Sequence, residues 1–360
     1  MKKATFPKIL VVTFFCIFLL SAGGVYADTI FFPYIASDGA NVTTIVSIVN
    51  KASASGQHLT FIYRYKTPST PIGESCSTSS LTRPTVPNDL ITFDVAGIFS
   101  GGNAMYSDTN SYGGSFKAPV APLRGYLLVT HSNASGSRVD VGLSTLEYGD
   151  TTLYGEAVLL DITSGAAWGY RAQNRSDLQT YDFTDLSELH LSTERFSSSQ
   201  YYSGEGATLP FFPLNIWTTK LFVTPVGINM NDTDYVATLK LVTSKDSAAS
   251  RIASTASCGG DQCSETEGVF TRDGISLART GSGAQTVKCM GALEIESFLD
   301  ATQRAQIENS GGWAILYPDY VSTSNRASYV NVFKLEYVLN NSTYGGTNNN
   351  AILLSEEEAF

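Results

Sequence analysis

Histidine and charged side chains are scarce in this sequence, and both shortages narrow the classes of function. Only three histidines occur, and charged residues make up 16% of the 360 positions. His58, His131 and His190 do not form the spaced pairs of zinc enzymes. The sequence also lacks the glycine-rich nucleotide-binding loops and the Gly-x-Ser-x-Gly elbow of α/β hydrolases. The sequence does not exclude a Ser-His-Asp triad, because such triads are recognised by geometry and not by their order in the sequence.

Positive charge is also limited. The chain has 23 lysines and arginines against 33 acidic residues, a net charge of −10. Three of the lysines lie in residues 1–27, so a chain without that segment would carry −13. An acidic chain without a basic cluster is poorly suited to nucleic acid or to an anionic membrane surface, whose phosphates must be neutralised. Its negative charge favours solubility outside the cell and is compatible with loose binding of divalent cations.

Long apolar runs are missing beyond the N-terminus. Lys2, Lys3 and Lys8 flank an apolar stretch that ends near Leu20, and Val25-Tyr26-Ala27 follows as a small-x-small motif. The stretch is too short for a comfortable membrane-spanning helix. This pattern predicts a cleavable signal peptide over residues 1–27 and export to the periplasm, the cell surface or the extracellular medium, with no transmembrane segment in the remaining chain.

Helical signals are few, whereas strand signals recur along the chain. Between His58 and Tyr65, aromatic residues alternate with other side chains, as expected for a half-buried strand. Gly, Ser and Asn clusters separate such segments. We therefore predict an all-β fold of antiparallel strands with few short helices, the clearest helix lying within residues 297–309 and a weaker one within residues 182–196.

Several short motifs occur twice, which indicates an internal repeat. The pairs are Ile30–Ile35 with Leu221–Val226, Gly125–Val129 with Gly312–Leu316, Leu146–Tyr148 with Leu335–Tyr337, Tyr154–Leu160 with Tyr344–Leu354, and more weakly Ile91–Asp94 with Leu293–Glu296. Ordered matches at similar spacing predict a duplication. We expect two tandem antiparallel β-sandwich domains, residues 28–172 and 215–360, joined by a connector of residues 173–214 that contains Ser, Tyr and Pro.

Four cysteines remain after the predicted signal peptide. In an oxidising compartment Cys76, Cys258, Cys263 and Cys289 are expected to form disulfides. If all four pair, one bridge must join the two copies, since Cys76 is alone in the first. Within the second copy the sequence favours Cys263–Cys289 or Cys258–Cys263.

Glu147 and Glu336 occupy the same position of the repeated Leu-Glu-Tyr motif. Strand alternation places each glutamate in phase with apolar side chains, where an unpaired carboxylate would be costly. A β-bulge that turns the glutamate outward or a structural ion pair would resolve the conflict. The alternative is that both carboxylates serve a ligand or a catalytic step.

Two further groups of residues are candidates for binding. Asn229, Asn231, Asp232 and Asp234 form an oxygen-rich segment that suits calcium, although an ordinary Asx-turn loop explains the same composition. Tyr201 and Tyr202 lead a set of aromatics on expected loops, which suits stacking on sugars or proteins. Calcium is the only cofactor that the sequence suggests.

The sequence favours a non-enzymatic exported protein that acts in adhesion, in envelope structure or in binding a polysaccharide or another surface protein. One alternative is a secreted polysaccharide hydrolase or lyase, which would need two carboxylates about 5–10 Å apart. Another is a surface subunit that self-assembles through strand edges. Nothing in the sequence determines the oligomeric state.

Overall fold

The computed structural model describes residues 25–26, 28–52, 58–106, 114–137, 141–142, 152–176, 191–192, 207–226, 236–241, 269–272, 285–319, 329–338 and 348–354. Within these ranges the fold is all-β, as predicted, and every strand pairing is antiparallel. The described part contains one α-helix of seven residues. None of the described helices combines the length and the apolar character that crossing a membrane requires.

Two five-stranded sheets and a small strand pair make up the first half. Its strands are β1 (Val25–Tyr26), β2 (Asp28–Ser37), β3 (Val42–Asn50), β4 (His58–Lys66), β5 (Ser77–Pro84), β6 (Asp89–Asp94), β7 (Ala104–Tyr106), β8 (Leu123–Ser132), β9 (Val141–Gly142), β10 (Leu153–Asp161), β11 (Ala166–Arg171) and β12 (Gln173–Ser176). The sheets have the orders β12-β2-β8-β4-β5 and β11-β10-β3-β6-β7, and β1 pairs with β9. Side chains such as Phe61 and Leu127 from one sheet and Val46 and Phe93 from the other share one core.

The second half contains two further five-stranded sheets. Its strands are β13 (Leu191–Ser192), β14 (Ala207–Phe211), β15 (Thr218–Val226), β16 (Val236–Leu241), β17 (Val269–Thr271), β18 (Gln285–Lys288), β19 (Gly291–Glu294), β20 (Gly312–Asp319), β21 (Tyr329–Tyr337) and β22 (Asn348–Leu354). One sheet has the order β22-β21-β15-β19 with β13 also on β21, and the other has the order β14-β20-β16-β18 with β17 also on β20.

The order of the main strands is the same in the two halves. Eight strands of each half correspond in chain order. In the first half they are β2, β3, β4, β5, β6, β8, β10 and β11, and in the second half they are β14, β15, β16, β18, β19, β20, β21 and β22. In both halves the first, sixth, third and fourth of these strands form one sheet. The eighth, seventh, second and fifth form the other. Gly125 on β8 and Gly312 on β20 therefore hold equivalent places. Two other predicted matches lie one strand apart: Ile30 on β2 with Leu221 on β15, and Ala157 on β10 with Ala351 on β22.

The predicted connector contains strands that belong to the sheets. Residues 173–176 form β12, which pairs with β2, and residues 207–211 form β14, which pairs with β20. Pro210 lies inside β14, where a residue without an N–H group is tolerated because the strand is at the sheet edge. Pro210 therefore lies in an edge strand of the second half.

Burial along β4 shows how the halves meet. Phe61, Tyr63 and Tyr65 point into the first core, as the alternation predicted. Ile62 lies on the opposite face, yet it is also buried, because it packs in a cluster with Met290 from the second half. A strand that alternates in sequence is thus buried on both faces in the folded chain.

The predicted helix lies where its sequence pattern placed it. A 3₁₀ turn spans Ile295–Phe298, and the helix α1 spans Ala301–Ile307. Asp300 is the N-cap: its carboxylate accepts hydrogen bonds from the backbone N–H groups of Thr302 and Gln303, and the Gln303 side chain accepts from the backbone N–H of Asp300. Of the weaker helix prediction at residues 182–196, only Leu191 and Ser192 are described, and they form a strand.

The hydrophobic core continues from one half into the other. Phe222 on β15 and Phe333 on β21 belong to the core cluster of the first half. The Tyr34 ring stacks on Phe222 with 3.6 Å between ring centroids, and Tyr170 contacts Phe333 at 5.0 Å. Because aromatic side chains bury large apolar areas, this contact stabilises a fixed arrangement of the halves.

A disulfide between Cys76 and Cys289 closes the same junction. The two residues are 213 positions apart, and their Cα atoms are separated by 5.8 Å. The expected Cys263–Cys289 pairing is therefore wrong, since Cys289 packs against the first half and is bonded to Cys76. From the sequence, a bridge between the halves was expected only if all four cysteines formed disulfides. Cys258 and Cys263 lie outside the described residues.

We predict that replacing both bridged cysteines by serine lowers the free energy of unfolding by about 4 kcal/mol, because a bridge over so long a loop restricts the unfolded chain. Urea unfolding of the oxidised protein measures the difference, with a Cys258→Ser/Cys263→Ser variant as the matched control. Peptide mapping without reductant should recover a Cys76 peptide joined to a Cys289 peptide. A Cys263–Cys289 peptide would contradict the structure.

Candidate functional site

Glu336, the one predicted carboxylate that the structure describes, lies inside the second half. It is in phase with Val330 and Val332 on β21, as the alternation indicated, and only 1% of its side chain is exposed. The strand does not turn the glutamate outward. An ion pair with Lys334, two residues earlier on the same face, resolves the conflict.

The pair forms a closed set of contacts with neighbouring backbone. Lys334 Nζ lies 2.9 Å from Glu336 Oε2 and donates a hydrogen bond of 2.6 Å to the carbonyl of Pro210. Glu336 Oε1 accepts hydrogen bonds of 2.9 Å from the backbone N–H of Phe212 and from the Thr219 hydroxyl. The two side chains therefore tie β21 to β14 and to the start of β15.

Both faces of β21 are buried, and this burial disfavours the charged forms of Lys334 and Glu336. Desolvation lowers the pKa of Lys334, and the neighbouring Glu336 carboxylate acts in the opposite direction. A buried charge is tolerated when its partner and its hydrogen bonds are in place. Glu336 has these partners and almost no exposed surface, so its role in the fold is to position the backbone around it.

The backbone that Glu336 holds continues into an exposed turn, residues 212–217, which we call the aromatic loop. Phe212 and Ile216 are 38% and 44% exposed, and the rings of Phe212 and Trp217 lie 4.8 Å apart with a 35° tilt. Only eight large hydrophobic side chains are exposed in the described part of the chain, and two of them lie in this turn. Exposed aromatics on a fixed loop are typical of binding surfaces.

Several contacts hold the backbone of the aromatic loop in place. The backbone N–H of Asn215 donates to Glu308 at the end of α1, and the Asn215 side chain donates to Asn309 at 2.8 Å. Gly311 lies beneath the loop at φ +69°, and a Cβ there would come 2.5 Å from the Phe211 carbonyl oxygen. Only glycine fits this left-handed position at such close approach.

A second buried cation lies at the junction of the halves. Lys66 Nζ donates to the carbonyls of Pro71, Ile72 and Lys288, at 3.2, 2.8 and 2.9 Å. Burial is the main cause that lowers the pKa of Lys66 to about 8, and repulsion from Arg124 adds to it. All three ammonium protons have acceptors, so this lysine serves the contact between the halves.

His131 on β8 is completely buried in the first half. Its Nε2 atom lies 3.0 Å from the Thr152 hydroxyl, and within the described residues its Nδ1 atom has no partner. Burial lowers the pKa of His131 to about 4, so the ring stays neutral at ordinary pH.

Asp38 in the first half shows how one oxygen-rich loop uses its carboxylate. Its Oδ1 atom accepts hydrogen bonds of 2.8, 2.7 and 2.8 Å from the backbone N–H groups of Ala40, Asn41 and Val42. Desolvation opposes ionisation, but these hydrogen bonds prevail and lower the pKa of Asp38. The carboxylate closes an Asx turn, the second of the two explanations considered for such loops.

The remaining predicted site residues lie outside the described part of the chain. They are Glu147, Tyr201, Tyr202, Asn229, Asn231, Asp232 and Asp234. Within the described ranges there is no group of three or more His, Cys, Asp or Glu side chains that could hold a metal ion. The calcium prediction at Asn229–Asp234 stays a prediction.

Sequence reasoning missed Lys334 and the aromatic loop. A signal for the lysine exists, because a Lys-x-Glu pair on a strand places both side chains on one face. The Pro-Phe-Phe-Pro segment at residues 210–213 indicates only a strand breaker. Nothing in it indicates that Phe211 is buried while Phe212 is exposed.

Comparisons with known proteins add no relative. No protein-family model matches the chain, and neither the curated proteins nor the solved structures give a match. The candidate site therefore stands on its geometry alone.

We predict that Glu336→Gln lowers the free energy of unfolding by about 3–5 kcal/mol, since it leaves Lys334 buried without a counter-charge. Adding Lys334→Met should recover about 1–3 kcal/mol of that loss, because the unpaired charge is removed while the introduced amide still accepts a hydrogen bond. Urea unfolding measures both. Glu294→Gln, which breaks the exposed pair with Lys220, is the control and should change stability by about 0.5 kcal/mol or less. Equal losses in the single and double variants would contradict this role.

His131 should make the protein acid-sensitive. The pKa of His131 is about 4 in the folded chain and about 6.5 in the unfolded chain. Because only the unfolded chain takes up the proton between these values, the contribution of His131 to the free energy of unfolding is complete above pH 6.5 and is lost between pH 6.5 and 4. Relative to His131→Gln, the native protein should lose up to about 1.4 kcal/mol per pH unit in that window. Chemical unfolding from pH 8 to pH 4 measures the difference, with His58→Gln as a second histidine variant. A constant difference across this range would contradict the assignment.

Proposed function

We propose that this chain is an exported, non-enzymatic protein of the envelope surface or the extracellular medium, built from two copies of one β-sandwich, that binds a ligand through the aromatic loop. The observation that carries the proposal is the hydrogen bond between the Glu336 carboxylate and the backbone of the aromatic loop. The carboxylate that could have been catalytic is buried, and it holds the backbone of an exposed aromatic turn.

Export is supported by two independent features. The N-terminal pattern of Lys2, Lys3 and Lys8 before a short apolar run is that of a secretory signal. The Cys76–Cys289 bridge is of the kind that persists in oxidising compartments. The equal strand order of the two halves supports a duplicated sandwich, and the shared aromatic junction supports a single rigid body that presents its loops in fixed positions.

The binding role predicts that the purified protein attaches to a cell-envelope fraction or to a surface polysaccharide, and that Phe212→Ser/Ile216→Ser weakens this attachment at least tenfold. The two substitutions remove the exposed apolar side chains of the loop. A loss of this size is expected because burying apolar surface contributes about 25 cal/mol per Å². The measurement is saturation binding to the immobilised fraction.

The matched control is Phe99→Ser/Ile162→Ser, which removes two side chains of similar exposure outside the loop. Equal binding by the loop variant and the native protein would overturn the assignment of the loop. Turnover of glycan, peptide or ester substrates that Glu336→Gln abolishes in a folded protein would overturn the non-enzymatic assignment in favour of the hydrolase alternative.

A further inference from the structure

We propose that the aromatic loop is a carbohydrate subsite that stacks on the apolar face of a neutral sugar ring. This inference rests on the proposed function and names the chemical class of the ligand. It draws on four features of the loop: the paired rings, the neighbouring amides, the lack of charge in the loop and the fixed backbone.

The paired rings provide the stacking surface. The Phe212 and Trp217 rings pack against each other, with 4.8 Å between centroids and a 35° tilt. Phe212 is exposed and Trp217 is half-buried, so the ring pair leaves apolar aromatic surface open to solvent. The faces of aromatic rings carry partial negative charge. Sugar rings present a row of slightly positive C–H groups on one face, and these groups pack against such a surface.

Two amides lie at the loop: Asn215 is part of it, and Asn309 follows α1. Asn215 donates from Nδ2 to Asn309 Oδ1, and both residues are exposed. An amide has two N–H donors and an acceptor oxygen, so this pair retains donors and an acceptor after its mutual hydrogen bond. Sugar hydroxyls donate and accept at once, which matches groups of both kinds at the edge of an apolar surface.

The absence of charge in the loop selects a neutral ligand. Residues 212–217 read Phe-Pro-Leu-Asn-Ile-Trp and contain no charged side chain. An anionic sugar would lack a counter-ion in the loop and would be repelled by a chain with a net charge of −10. Uronic acids and sulfated sugars are therefore disfavoured.

The backbone of the loop is fixed before any ligand arrives. The Glu336 carboxylate accepts from the Phe212 N–H. The backbone carbonyl of Glu308 accepts from the Asn215 N–H at 3.0 Å, and that of Pro213 accepts from the Trp217 N–H at 2.9 Å. A preorganised loop loses little conformational entropy on binding. Glu336 and Lys334 are accordingly positioning residues for the subsite, because they act through the backbone and do not reach its surface.

The test is titration calorimetry of the purified protein with neutral soluble polysaccharides (a β-glucan, an α-glucan, a mannan and a galactan) and with anionic alginate. We expect one or more neutral polymers to bind at least tenfold more tightly than alginate. Phe212→Ala and Trp217→Ala should each weaken binding about tenfold, and Trp217→Phe, which keeps a ring, should weaken it less. Phe99→Ala is the exposed aromatic control and should bind as the native protein does.

A second measurement separates this inference from the proposed function. Envelope fraction is treated with periodate, which cleaves vicinal diols of sugars, before the binding assay. Loss of loop-dependent binding supports a sugar ligand. Loop-dependent binding that survives periodate, or no binding to any neutral polymer, overturns the carbohydrate assignment while the proposed binding role stands. If Trp217→Ala unfolds, Phe212→Ala and Asn215→Ala give the same comparison from exposed positions.

Discussion

The buried ion pair between Lys334 and Glu336 constrains the packing of the second half and the position of its exposed loop. The pair lies on β21, a strand covered by the core of the second half on one face and by the first half on the other. Charges in such a place are stable only when each has its partner and its hydrogen bonds. Their partners are the carbonyl of Pro210, the N–H of Phe212 and the hydroxyl of Thr219. The electrostatic requirement therefore fixes where β14 ends and how the aromatic loop begins.

The junction between the halves imposes the second constraint. Phe222 and Phe333 complete the core of the first half, Lys66 donates to carbonyls from both halves, and Cys76 is bridged to Cys289. Cys289 has a φ of +60°, a left-handed conformation that costs a non-glycine residue about 1–2 kcal/mol and is kept by the surrounding contacts. Together these contacts favour a single body over two mobile domains, so the aromatic loop is presented from a rigid frame.

Much of the architecture followed from local patterns. Alternation along His58–Tyr65 identified β4, and the helical pattern within residues 297–309 identified α1, because strand and helix periods are local properties. The repeat was harder to align. Gly125 and Gly312 lie on strands that hold the same place in the two strand orders, whereas Ile30 and Leu221 differ by one strand, since short apolar motifs that contain proline look alike wherever they lie in a sheet. The in-phase position of Glu336 was also predicted, but its partner two residues away was not.

The sequence alone determined the all-β class, the strand periodicity, the position of the helix and the conflict posed by a glutamate on an apolar face. It also narrowed the cysteine pairing to a few alternatives. Only the tertiary structure decided that Cys289 meets Cys76, that Lys334 neutralises Glu336, and that Phe212 is exposed while Phe211 is buried. The physical reason is that periodicity and capping depend on neighbours within a few residues. The disulfide joins residues 213 positions apart. The buried ion pair is stable only because Pro210, Phe212 and Thr219, more than a hundred residues away in sequence, provide its remaining hydrogen bonds.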